Sequence, residues 1–281
     1  MNTLQTRVVL GVIMFAAFFG VLLLDSVFAT DIGFGCLATL AGIIGLYEFY
    51  NIVGKNGFAP FRISGIVTGV WMFVAYWLSV RKNFPVDYHF FRQEIFLVLI
   101  FWLLLIQAFR RGTKDAVKNI SVTIFGILYI FFLLSFAVTL RYLHNGVCIL
   151  VMVLLVSKFG DIGGYLLGRK YGKHKLAKVI SPNKTIEGAC FSLLFSVLIA
   201  VIFSLIPAIR LFSLKWSAVF GIIVGFSALL GDLAESLLKR DANVKDAGTL
   251  VPAFGGILDV IDCLLISMPV AYYSLVIFKL I

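Results

Sequence analysis

Nine runs of mainly apolar residues constrain this 281-residue chain more than any other feature. They lie near 8–24, 30–49, 63–80, 95–109, 119–140, 147–167, 187–206, 216–238 and 256–278. A membrane-spanning helix needs about 20 such residues at a rise of about 1.5 Å each. The fourth run is short, and the first two are joined by a few residues around Asp25. The runs are continuous and lack the period-two alternation of a membrane β-strand, which disfavours a β-barrel. Composition agrees: 61% of residues are hydrophobic and 14% charged, against about 25% charged in soluble domains. So little charge cannot coat a water-soluble particle. The expected fold is all-α, a polytopic integral membrane protein with about nine transmembrane helices. Secreted, disordered and nucleic-acid-binding proteins are excluded. The first run has one early Arg and no small-residue cleavage site, so it reads as an anchor and not a cleaved signal.

Cys36, Cys148, Cys190 and Cys263 lie far apart, and so do His89, His144 and His174. No CxxC or HExxH pattern links them, which argues against a disulfide framework and a thiolate or imidazole metal site.

The net charge of +10 finds its explanation in topology. With nine helices, 16 Lys/Arg fall on the side of the amino terminus and seven, including Arg81 and Lys82, on the other. Lys158 falls inside a span. The positive-inside rule places the amino terminus and the basic loops in the cytoplasm, at the cytoplasmic (inner) membrane. The first half, 1–145, keeps its polar residues mainly in loops and reads as scaffold. In the second half, 146–281, charge enters the helices, and this region carries the chemistry together with loops 168–187 and 239–255.

Asp161, Asp232, Glu235, Asp259 and Asp262 fall within expected spans. Each would cost about 2.5–3.5 kcal/mol at a bilayer centre, so a functional reason is expected. Asp161 and Asp232 each lie about six residues, roughly 9 Å, from the cytoplasmic end of their helices. Asp259 and Asp262 lie in the first turns of the last helix, which starts from the same face. Asp232, Glu235, Ser236 and Lys239 share one helical stripe, as do Asp259 and Asp262. Clustered oxygen donors without His or Cys suit a hard cation such as Mg²⁺.

The basic loops complement these acids. Loop 168–187 carries six Lys/Arg, with Ser181, Lys184 and Thr185 near its end, and residues 239–246 read KRDANVKD. A juxtamembrane basic run often serves only orientation or anionic-lipid contact. Lys184 and Thr185 lack the GxxxxGK spacing of a P-loop. Hydroxyl and basic side chains at the mouth of a carboxylate cluster are, however, the set that phosphoryl or nucleotidyl transfer requires.

Residues 236–262, SLLKRDANVKDAGTLVPAFGGILDVID, resemble the signature of the phosphatidate cytidylyltransferases, or CDP-diacylglycerol synthases. Ser236, Lys239, Arg240, Lys245, Asp246, Gly248, Pro252, Gly255, Gly256, Asp259 and Asp262 match the spacing. The GDLAES stretch around Asp232, SPNKTIEG from Ser181 and DIGGYLLGRKYGKHKL from Asp161 are similar to further family segments. Two positions depart: Phe254 stands where the family has histidine, and Val260 where it has arginine.

The resemblance implies transfer of CMP from CTP to phosphatidate, giving CDP-diacylglycerol and pyrophosphate. It implies Mg²⁺, with a second, monovalent cation as an option, held by Asp161, Asp232, Asp259 and Asp262. Lys239, Arg240, Lys245 and Asp246 would be catalytic. Ser181, Lys184, Thr185, Glu187 and Ser236 would bind nucleotide or lipid headgroup, with Glu187 orienting its loop. Partners are membrane lipids and a second copy in a homodimer, not nucleic acid. Rival readings are a CTP-dependent polyprenol kinase, a cytidylyltransferase for another lipid phosphate, and a cation transporter. The nucleotide product separates the kinase, and ion flux without CTP turnover separates the transporter.

Overall fold

The computed structural model describes residues 3–81, 88–252 and 254–280, so Lys82 of the charge tally lies outside the described residues. Each expected apolar run forms a helix, because a helix satisfies all of a span's backbone groups within itself where lipid offers no partners. Eight of the helices among the described residues are long and apolar enough to cross a membrane. Large apolar side chains such as Leu24, Val67, Leu198 and Phe226 stand exposed on helix surfaces, where only lipid accommodates them. The protein is an integral membrane protein built from helices.

The chain divides into two compact units. The first comprises Met1–Ser135 and Ala242–Val260. It holds α1 (Thr3–Val27), α2 (Ile32–Lys55), α3 (Arg62–Val80), α4 (Tyr88–Ile106) and α5 (Ala116–Ile127). The turn between α1 and α2 is tight because buried Asp25 accepts the amides of Gly33 (3.0 Å) and Phe34 (2.9 Å), which the first turn of α2 would otherwise leave unpaired. At the opposite end of α2, buried Tyr50 donates its hydroxyl to the Thr123 carbonyl at 2.9 Å. Thr123 and Asn119 in turn accept the amides of Phe61 and Ala59, both at 2.9 Å, fixing the α2–α3 loop. Helix α4 begins at Tyr88 instead of near 95, because helical hydrogen bonding continues through polar residues past the apolar stretch. A π-turn over Leu128–Phe132 joins α5 to α6 (Leu133–Arg141).

The second unit comprises Phe136–Asp241 and Ile261–Ile281. Its frame is α7 (Gly146–Tyr171), α8 (Ile186–Leu205), α9 (Leu214–Asp241) and the greater part of α10 (Leu258–Ile277). Small residues line the α7–α8–α9 contacts, as expected where helices associate by close van der Waals packing in lipid. Fully buried Ser196 of α8 lies between Gly160 of α7 and Gly225 of α9 and donates to the Val156 carbonyl at 3.0 Å. Ser157 of α7 donates to Ser267 of α10 at 3.2 Å. Between α7 and α8 the basic segment forms a short antiparallel hairpin of β1 (Lys175–Ala177) and β2 (Ser181–Thr185), with Lys175 opposite Thr185 and Ala177 opposite Ser181.

Candidate active site

Three helices of the second unit bring carboxylates into mutual electrostatic range: Asp161 from α7, Asp232 from α9 and Asp262 from α10. Two ammonium groups face them. Lys158, one turn before Asp161, acts on Asp161 and Asp262 and bonds the Cys263 side chain. Lys184, from β2, lies 2.5 Å from Asp232 Oδ2, in a pair that is 21% and 28% exposed. Ser236, one turn after Asp232, donates to Asp232 Oδ1 at 3.3 Å. Buried Asp262 accepts the amide of Cys263 at 2.6 Å. Three carboxylates thus face two lysines.

The donor chemistry suits a hard divalent ion, because the side-chain donors from the three helices are carboxylate oxygens. Among the described residues no three His, Cys, Asp or Glu side chains already converge on one metal position. In this structure ammonium groups take up the carboxylate charge that a cation would share, most directly Lys184 on Asp232.

The hairpin that carries Lys184 is fastened at both ends. Thr185 caps α8 by accepting the Gly188 amide at 3.1 Å, the usual use of a Thr before a helix. Glu187, in the first turn of α8, reaches back to the end of α7. Its Oε2 accepts the amides of Lys173 (3.0 Å) and His174 (3.1 Å), and its Oε1 lies 2.6 Å from His174 Nδ1. Glu187 thus sets the path of the loop leading into β1. From α9, Arg240 Nε donates to the Ile180 carbonyl at 3.2 Å, tying the helix end to the hairpin. Lys239 bonds Glu235 one turn earlier, and the two form a buried pair within α9.

Lys245, Asp246 and Asp259 belong to the first unit. Lys245 and Asp246 stand exposed on the loop after α9. Asp259 turns back onto that loop, its Oδ2 accepting the amides of Ala247 (2.8 Å) and Gly256 (2.7 Å). Gly255 adopts φ +109°, a conformation L side chains rarely take, and a Cβ there would stand 2.4 Å from Asp259 Oδ2. Phe254 is 37% exposed. Lys158 and His174 of the second unit, and Glu48 on α2 of the first, were not singled out as functional candidates in the sequence. Lys158 and Glu48 were detectable as charges inside spans.

An all-α membrane protein that gathers carboxylates, ammonium groups and a hydroxyl-bearing hairpin at one end of its spans has the make-up of a membrane enzyme acting on phosphate esters. The chain belongs to the cytidylyltransferase family, whose model matches residues 5–278. It is similar to the phosphatidate cytidylyltransferase of Chlamydia pneumoniae, 32% identical over 92% of this chain and 88% of that one. The phosphatidate cytidylyltransferase of Synechocystis is 29% identical over 96% of both chains. That of Bacillus subtilis is 29% identical over 86% of this chain and 83% of its own length.

Proposed function

We propose that this chain transfers CMP from CTP to phosphatidate, forming CDP-diacylglycerol and pyrophosphate. The observation that carries this reading is the cluster of Asp161, Asp232 and Asp262 with Lys184 and Lys158. A phosphate oxygen of the lipid attacks the α-phosphorus of CTP. The bond from that phosphorus to the oxygen bridging to the β-phosphate breaks, and pyrophosphate leaves with the bonding pair. No covalent intermediate on the protein is needed, because the lipid phosphate is itself the nucleophile.

Asp161, Asp232 and Asp262 would hold Mg²⁺, with Asp259 one turn before Asp262 in the same set, and a monovalent cation is the optional companion. A bound divalent ion supplies charge neutralisation on phosphate oxygens. Lys184 leaves Asp232 and turns to phosphate when the carboxylate is otherwise engaged. Lys239, Arg240 and Lys245 contribute positive charge to the phosphates, and Asp246 acts beside Lys245. Ser181 and Thr185, on the hairpin held by Glu187, and Ser236, on α9, present hydroxyls to nucleotide or headgroup. The protein resides in the cytoplasmic membrane with its amino terminus and active site toward the cytoplasm, supported by the 16-to-seven division of basic residues. It works as a homodimer, the commonest closed symmetry.

The test is direct. Detergent-purified protein given Mg²⁺, phosphatidate and α-³²P-labelled CTP should move label into the lipid phase and release pyrophosphate. Label that stays in water-soluble nucleotide, with the protein folded, refutes the assignment. Release of CDP with transfer of a γ-label identifies a kinase instead.

A further inference from the structure

Glu48 lies near the carboxyl-terminal end of α2, in the half of the sequence where no candidate catalytic residue falls, and only 5% of it is exposed. Its carboxylate is committed to residues more than 200 positions away. Oε1 accepts the amide of Ile257 at 3.1 Å, and Oε2 that of Leu258 at 2.8 Å. These amides open α10, and a helix start leaves its first amides unpaired unless a side chain supplies acceptors.

The loop before α10 is shaped around the same carboxylate. A Cβ on Gly248 would stand 2.4 Å from Glu48 Oε1, and one on Gly256 would stand 2.4 Å from Oε2. Both glycines therefore mark the space that the carboxylate fills. From the other side Asp259 takes the amides of Ala247 and Gly256. The loop from 247 to 258 is thus gripped by two carboxylates, and Asp259 is oriented by the loop that Glu48 holds. A local hydroxyl or carboxylate would suffice to cap a helix. A carboxylate buried on a distant membrane helix does more, because it fixes where the loop and the first turn of α10 sit.

We propose that Glu48 is a positioning residue for nucleotide transfer, acting through the 247–258 loop to orient Asp259 and to fix the neighbouring Lys245 and Asp246. This inference rests on the cytidylyl-transfer reading for its kinetic consequences but not for its structural ones. Residues whose alignment governs chemistry show their loss in kcat more than in KM.

The experiment uses full-length, detergent-purified Glu48→Gln and Glu48→Asp. Gln keeps one acceptor but turns an NH2 toward a backbone N–H, whereas Asp keeps both acceptors on a shorter arm. For Glu48→Gln, kcat should fall at least tenfold while KM for phosphatidate stays within twofold and the half-saturating Mg²⁺ rises. Glu48→Asp should recover at least threefold over Gln. Amide hydrogen exchange across 247–258 should quicken in Glu48→Gln. A kcat within twofold of wild type, a loss that only tracks the unfolded fraction, or unchanged exchange would overturn the proposal.

If Glu48→Gln does not fold, Gly256→Ala offers a second route, since it presses a methyl on the intact carboxylate. It should reproduce the kcat loss with KM for phosphatidate within twofold and quicken amide exchange across 247–258. An unchanged kcat or unchanged exchange would refute the link. A wild-type protein without CTP turnover defeats the functional reading alone, and the exchange comparison then decides whether Glu48 holds the loop.

Discussion

Lys184 Nζ sits 2.5 Å from Asp232 Oδ2, joining the hairpin between α7 and α8 to the carboxylate that α9 gives the cluster. An ammonium at this distance supplies the charge that a bound cation would otherwise supply. In the proposed site, lysine and divalent ion would therefore compete for one carboxylate. Lys184→Gln should raise Mn²⁺ affinity in the absence of nucleotide by about three- to tenfold, equivalent to about 0.7–1.4 kcal/mol. That size is in keeping with a pair which is partly exposed. The same variant should lose at least about 100-fold in transfer, because phosphate loses a cation. Electron paramagnetic resonance of bound Mn²⁺ checks the first outcome, and weaker binding in the variant would refute competition.

Asp262 and Asp259 share one face of α10 but are engaged differently, and the difference makes their variants distinguishable. Asp262 is buried among Lys158, Asp161 and Asp232. Asp262→Asn should reduce transfer to about 1% of wild type or less and leave Mn²⁺ bound more weakly. Asp259→Asn should also abolish transfer. Because Asp259 Oδ2 serves two backbone amides, Asp259→Ala should in addition lose thermal stability, by about 1–3 kcal/mol for amide donors left without an acceptor. Activity and melting temperature measured side by side test both. Full transfer in either variant would remove that residue from the site.

The helices were legible because each apolar run is long enough to cross a bilayer, and no competing structure satisfies the backbone there. The start of α4 was not, since the polar residues after Tyr88 carry no apolar signal while helical hydrogen bonding continues through them. The hairpin escaped notice because strands of three and five residues, rich in Lys and interrupted by Pro182, show no alternation. In the candidate site, Asp161, Asp232 and Asp262 stood out as expensive charges at a common depth. Lys158 was visible inside the same span as Asp161, but its partnership with that carboxylate depends on three-dimensional packing. Glu48 met the same criterion of charge inside a span and was passed over because no motif surrounds it. Its partners lie 209 and 210 residues away, a relationship with no local trace.

Thr185 links stability to the site, because the residue that follows Lys184 in β2 is also the cap of α8. Thr185→Ala should lower the stability of the purified protein by about 1 kcal/mol and loosen the hairpin. Thr185→Ser keeps the accepting oxygen and should stay near wild type. Thermal unfolding followed by circular dichroism measures the difference. Equal losses in Ala and Ser would show that the methyl group, packed near Gly172, matters more than the cap.

Ser196 gives the sharpest test of packing in the second unit, because its two glycine neighbours approach different atoms. A Cβ on Gly160 would stand 2.4 Å from Ser196 Oγ, with the next atom, Ser192 Oγ, at 3.2 Å. A Cβ on Gly225 would meet both Ser196 Oγ at 2.4 Å and Ser196 Cβ at 2.5 Å. Each Gly→Ala change should destabilise the helix packing by about 1–3 kcal/mol through overpacking. Removing the hydroxyl with Ser196→Ala relieves the clash on the Gly160 side but leaves the Cβ that obstructs Gly225. Gly160→Ala should therefore recover most of its lost stability in the Ser196→Ala background, and Gly225→Ala should not. Melting temperatures of the two double variants decide the matter, and equal rescue of both would contradict this packing of α7, α8 and α9.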